Sequence, residues 1–170
     1  MKAQIRIIAL ALLLTGISIS TFAQVSATAN ASATIVTPIA ISKTVDMNFG
    51  NVAVSATAGT VVLTPAGSRS LTGGVTLPTI AGTVAAASFN VTGANNYTYT
   101  ITLPSTALTI TSGANTMSVN SFTSNPATPG TLSATGSQTL NVGATLNVNA
   151  SQAAGTYTSG TPFTVTVNYN

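Results

Sequence analysis

Side chains able to move a proton or hold a metal near neutral pH are almost missing from this sequence. It has no His and no Cys, one acid, Asp46, and four cations, Lys2, Arg6, Lys43 and Arg69. General acid and base catalysis needs a titratable group near the operating pH, usually one of a pair set apart by environment. A lone Asp makes neither a carboxylate dyad nor a carboxylate-rich calcium cage. A Ser or Thr nucleophile needs an activating base, for which Lys43 is the suitable candidate, although a solvated strand residue is the simpler reading. Lys43 and Asp46 are spaced to pair with each other, a contact of about 0–1 kcal/mol if exposed. The chemistry therefore points to a protein that is not an enzyme and that uses no cofactor and no metal.

The same scarcity narrows the partners. Two isolated cations, Lys43 and Arg69, form neither a phosphate-tracking stripe nor a basic cluster for anionic lipid, so no nucleic acid and no charged membrane surface is expected as partner. Without cysteine there is no disulfide framework and no thiolate site, and packing and hydrogen bonds must carry stability.

At the amino terminus Lys2 and Arg6 precede an apolar run from Ile7 to Ile17 and a short stretch ending in Ala23-Gln24. A basic region, a short apolar region and a small closing residue make a signal peptide over 1–23, cleaved between Ala23 and Gln24. The apolar run is shorter than the roughly 20 residues of a spanning helix, and no membrane-spanning segment is expected in the mature chain. Residues 24–170 then have the length of one domain.

Only 3% of the residues are charged, and Thr, Ser, Val, Ala, Asn and Gly dominate, a mixture that favours strands and turns over helices. Apolar side chains recur with period two. Val25, Ala27, Ala29, Ala31, Ala33 and Ile35 begin the pattern, and Ile39, Ile41, Val45, Met47 and Phe49 continue it beyond Pro38. Later runs include Val61 and Leu63, Ala85 to Val91, Tyr97 to Leu103, Leu140 to Val148, and Phe163, Val165, Val167 and Tyr169. A period of two gives extended chain one buried face. Pro65-Ala-Gly67, Gly73-Gly74, Gly93 to Asn96, Gly113 to Asn115 and Asn125 to Gly130 supply the breaks. Short strands at this spacing predict an all-β, antiparallel sandwich or barrel. Aromatic residues are 5% of the chain, too few for the two girdles of a membrane barrel. Tyr97 and Tyr99 share a face and fill the core more simply than they stack on sugar.

Two stretches are more specific. Val45 to Val52, with its Phe49-Gly50, and Gly155-Thr-Tyr157 followed by Phe163 to Asn170 resemble the strand ends of chaperone-usher pilins and the spore coat protein U group. Gly59 to Arg69 and Val142 to Val148 resemble a family of exported Gram-negative proteins, common in Bacteroidetes, known as a domain of unknown function. The resemblance to pilins implies an immunoglobulin-like β-sandwich and a structural or adhesive role at the cell surface, as a fimbrial or coat-like subunit. Residues 24–35 then read as the first strand of the domain's own sandwich, which their small alanines favour, or as an amino-terminal extension or donor strand that completes a neighbour's sheet; the assembly strands this would use are Val25, Ala27, Ala29, Ala31 and Ala33 and, at the carboxy end, Phe163, Val165, Val167 and Tyr169. The partners are then further copies or other surface proteins, and the export signal implies periplasm, outer surface or medium. The alternative is a secreted carbohydrate- or ligand-binding module using Tyr97, Tyr99 or Tyr157. Mass spectrometry of the exported protein is expected to find its amino terminus at Gln24; an intact Met1 on the folded product would remove the signal-peptide reading.

Overall fold

The structure, a computed structural model, describes residues 24–170. The chain divides into two compact units between Thr34 and Ile35. Of the first unit, Gln24 to Thr34 are described: they form no strand and their side chains are exposed. The signal-peptide residues 1–23, Ala23 included, lie outside the described residues.

The unit Ile35–Asn170 is all β, with no helix among the described residues. Its strands are β1 (Ala40–Val45), β2 (Asn48–Phe49), β3 (Ala53–Leu63), β4 (Arg69–Thr76), β5 (Val84–Ala85), β6 (Ala87–Thr92) and β7 (Thr98–Thr102). They continue with β8 (Leu108–Ser112), β9 (Asn115–Asn125), β10 (Gly130–Thr131), β11 (Ser137–Val148), β12 (Thr158–Ser159) and β13 (Thr166–Tyr169). Eight of them form one antiparallel sheet, curled into a half-barrel. Three more make the sheet β10-β7-β13, and β2 pairs with β5.

The longest strand, β11, organises the large sheet. Along one edge it pairs first with β6, through Ser137–Val142, and then with β3, through Ala144–Val148. Along the other it pairs with β9, with a shift of register between Gly143 and Thr145. Gly143 stands where the partner changes, and a Cβ there would collide with the Leu63 carbonyl oxygen. Glycine is needed for that close approach of two backbones.

Alternation along these strands builds two apolar clusters. One joins Ala87 and Val91 of β6 and Leu140 and Val142 of β11 to Tyr99 and Ile101 of β7 and to Val165 and Val167 at the carboxy end. The other lies in the half-barrel and holds Val61, Val75, Val119, Ala144, Leu146 and Val148. Met47 and Phe122 pack against both.

Tyr99 ties the small sheet to the large one. Its side chain is wholly buried, and its hydroxyl donates to Gln138 Oε1 at 2.7 Å. The same oxygen accepts the Thr131 backbone N–H at 3.1 Å. A buried phenol needs such a partner, because desolvation without one costs more than the hydrogen bond contributes. Burial also raises the Tyr99 pKa above its ordinary value.

Two expectations are corrected here. Regular pairing begins at Ala40 rather than at Val25; Gln24 to Ala33 carry Val25 and alanines as their apolar side chains, which offer little area to bury. Gly73-Gly74 makes no connection between strands but lies within β4, where the register with β3 shifts between Val54 and Gly59; Gly73 has φ of +66° there, and side chains would strike the carbonyl oxygens of Ala58 and Thr57. The Pro65 to Gly67 turn forms as expected, with the Thr64 N–H donating to the Ser68 carbonyl at 2.9 Å.

Tyr99→Phe keeps the ring and leaves Gln138 bonded to Thr131, so a loss of about 1 kcal/mol is expected by denaturant titration. Tyr99→Ala is expected to cost about 3–5 kcal/mol. The raised pKa means that the fold favours the neutral phenol. Its contribution is whole below the ordinary value of 10.0 and is lost as pH climbs through the folded value. Tyr99→Phe should lack that alkaline loss.

Candidate functional site

Among the described residues the charged side chains are Lys43, Asp46 and Arg69, and they stand in two separate places. Lys43 Nζ meets Asp46 Oδ1 at 2.6 Å, with the side chains 55% and 79% exposed, the surface pairing that their spacing suggested. Such a pair contributes little, because water screens both charges. Among the described residues no group of three His, Cys, Asp or Glu stands close enough to hold a metal.

Arg69 has a different part. Its Nη1 donates to the Phe49 carbonyl at 2.6 Å and to the Asn51 carbonyl at 3.0 Å. Between those acceptors Gly50 turns with φ of +70°, a conformation in which a Cβ would collide with the Ala81 carbonyl oxygen. The Gly50 N–H donates to Asn48 Oδ1 at 2.8 Å, and the Asn51 N–H donates to the Ala81 carbonyl at 2.7 Å. The Phe49-Gly50 turn and the Pro65 to Arg69 turn, far apart in sequence, are thus joined by one guanidinium. The sequence reading counted Arg69 only as an isolated cation; its place directly after the turn Pro65-Ala-Gly-Ser68 was the available signal.

The clamped turn forms part of the wall of a groove of ≈ 990 Å³ on the half-barrel. Leu108 and Ile110 of β8, Met117 and Val119 of β9, and Leu146 and Val148 of β11 line it. Further lining comes from Val45 to Val54 and from Gln152 to Ser159 with Phe163. Polar groups in the second stretch satisfy one another. Gln152 Nε2 donates to the Tyr157 hydroxyl and that hydroxyl to the Ala153 carbonyl, both at 2.7 Å, while Asn149 Nδ2 donates to Gln152 Oε1 at 2.9 Å. Apolar side chains from three strands thus face polar groups that are bonded within their own loop. Sequence periodicity could show that each strand has an apolar face but not that those faces leave a groove between two loops.

The residues marked out from sequence fall in two places. Gln24, Val25, Ala27, Ala29, Ala31 and Ala33 are exposed on the first unit. The carboxy-terminal set is seated in the second: Val165 and Val167 are buried, and the Phe163 ring meets those of Phe122 at 5.0 Å and Phe89 at 6.4 Å. The Tyr169 hydroxyl accepts from the Ala94 N–H at 2.6 Å and donates to the Thr37 carbonyl at 2.7 Å, anchoring the chain end to the entry of β1. Of the three tyrosines considered for sugar stacking, Tyr99 is buried and Tyr157 is hydrogen-bonded to its own loop, whereas Tyr97 is 45% exposed, with Tyr169 edge-on at 5.5 Å.

Residues 39–169 match the model of a family described as a domain of unknown function, DUF4402. No curated protein and no solved structure matches the chain.

Replacing Arg69 by Gln removes a charged donor from two carbonyls, one bond partly buried and one exposed. A loss of about 1–2 kcal/mol is expected in denaturant unfolding, with faster hydrogen exchange at Gly50 and Asn51. Lys43→Gln is expected to cost no more than about 1 kcal/mol; equal losses for the two would show that Arg69 is no clamp.

Proposed function

The chain belongs to the DUF4402 family, and on that premise we propose that it is a non-enzymatic structural or adhesive protein of the bacterial cell surface, a subunit that assembles with further copies of itself. The observation that carries this reading is the stretch Gln24 to Ile35. It alternates apolar and hydroxyl or amide side chains, has no strand partner, and holds two large apolar residues at its ends, Val25 and Ile35, exposed to 93% and 96%. An uncharged alternating segment of this kind is suited to completing a sheet, with main-chain hydrogen bonds for affinity and alternate side chains for fit.

The rest of the molecule supports the same reading. The small sheet packs an apolar face on the large one through Tyr99, Ile101, Leu140 and Val142, which we read as an immunoglobulin-like sandwich, an architecture suited to surface fibres and coats. The carboxy-terminal strand, with Val167 and Tyr169, completes the sheet β10-β7-β13. Export through the signal peptide 1–23 delivers the subunit to the periplasm, outer surface or medium. A carbohydrate-binding role rests on the exposed ring of Tyr97 alone, and one tyrosine makes a small platform.

The full chain, expressed with its leader and purified after export, is expected to form oligomers whose size grows with concentration in size-exclusion chromatography. Electron microscopy of shed surface material should show it in fibres or a coat. A chain that stays monomeric at every concentration and binds a glycan saturably through Tyr97 would replace this reading by the carbohydrate-binding one.

A further inference from the structure

We infer that Met47 and Met117 make the groove a site of reversible oxidation: hydroperoxides convert both to sulfoxides in the folded protein, and the sulfoxide at Met47 releases β2 from the half-barrel. The inference goes beyond the assembly reading and does not depend on it.

Oxidisable side chains are concentrated at this one place. The sequence has no Cys, no Trp and no His, and its three methionines are Met1, Met47 and Met117. Met47, between β1 and β2, and Met117, on β9, both line the groove. Each is half-buried, so a solute as small as hydrogen peroxide reaches it from the groove while the sheet stays closed. The peroxide transfers one oxygen atom to the thioether: the sulfur is oxidised to the sulfoxide, the O–O bond breaks, and the reduced peroxide leaves as water or an alcohol. No thiol in the chain competes for the oxidant. Methionine sulfoxide reductases reverse the change, one enzyme for each epimer.

The two sulfurs differ in what holds their backbone. Met117 pairs with Ile110 of β8, and the next residues, Ser118 and Val119, pair with Asn147 and Leu146 of β11, so ladders on both sides fix it. Among the described residues β2 pairs with β5 alone, through Asn48–Phe49 and Val84–Ala85. A pair so short is not stable by itself in water. Its place depends on apolar packing, by Met47 against both clusters and by Phe49 against that of the half-barrel. A sulfoxide puts a polar oxygen where Met47 meets those clusters, and burying it without a donor is unfavourable. The side chain then turns to solvent and takes the start of β2 with it. The bonds from Arg69 to the Phe49 and Asn51 carbonyls keep the other end tethered, so the groove wall opens at Met47 and the fold remains.

The test treats the purified chain with hydrogen peroxide in native buffer and follows it by peptide mapping and hydrogen exchange. Sulfoxides are expected at Met47 and Met117 while circular dichroism still reports the folded chain. Exchange at the β2 and β5 amides is expected to become about tenfold faster, and that of the β9–β11 pair to stay unchanged. The two methionine sulfoxide reductases, added together with their reductant, should return both the mass and the exchange to the untreated values. Met47→Leu keeps the size of the side chain and is expected to abolish the response of β2 to peroxide while Met117 is still oxidised. Met117→Leu is expected to leave that response whole. If either variant is not folded, the map and the exchange of the unaltered chain decide. Methionines that stay reduced in the folded chain and are oxidised only in denaturant overturn the groove as a site of oxidation. A sulfoxide at Met47 with unchanged exchange in β2 and β5, or with an equal rise across the whole sheet, overturns the local release of β2.

Discussion

One strand holds this fold together. β11 exchanges backbone hydrogen bonds with three others, β6 and β3 in succession along one edge and β9 along the other. The arrangement is possible because Gly143, at the point of change, lets the end of β3 approach where any side chain would strike the Leu63 carbonyl. Each buried backbone donor and acceptor must find a partner, and β11 meets that demand for much of the large sheet. It also supplies both apolar clusters: Leu140 and Val142 face the small sheet, and Ala144, Leu146 and Val148 lie in the half-barrel. The curl of the sheet and the groove in it follow from this change of partner within a single strand.

With so few charges, stability and recognition draw on the same resources. Hydrogen bonds to neutral groups, such as Tyr99 on Gln138 and Tyr169 on Thr37, fix how the layers sit. Among the described residues the one guanidinium, that of Arg69, serves two backbone carbonyls rather than a carboxylate. The groove is correspondingly neutral, because the two charged residues that line it, Lys43 and Asp46, pair with each other.

Much of the strand content was legible in the sequence because burial on one face leaves a period of two. Val61 and Leu63, Ala87 and Val91, Leu140 to Val148 and Val165 to Tyr169 all lie where the alternation puts them, facing a core. The stretch Gln24 to Ile35 has the same period without a ladder, because alternation records only the capacity to pair, and pairing needs a partner edge. Gly73-Gly74 read as a break because glycine punctuates turns, yet here it serves the close packing of two strands. Neither the groove nor the reach of Arg69 to Phe49 and Asn51 was legible, since both depend on which distant strands become neighbours. The family match over residues 39–169 spans both Val45 to Val52 and Gly59 to Arg69 without giving the contact between them.

The partner change of β11 also has a kinetic side. All three strands that it joins precede it in the chain, β3 by some eighty residues. Until Ser137 to Val148 become available, β3–β4, β1–β6 and β8–β9 are separate pairs with no shared sheet, and small isolated strand pairs are marginal in water. Pairings so distant in sequence also make for slow folding. A chain threaded amino-terminus first through a narrow translocation channel would therefore keep its earlier strands uncommitted until its last quarter has followed, and would close its large sheet in a single late step on the far side.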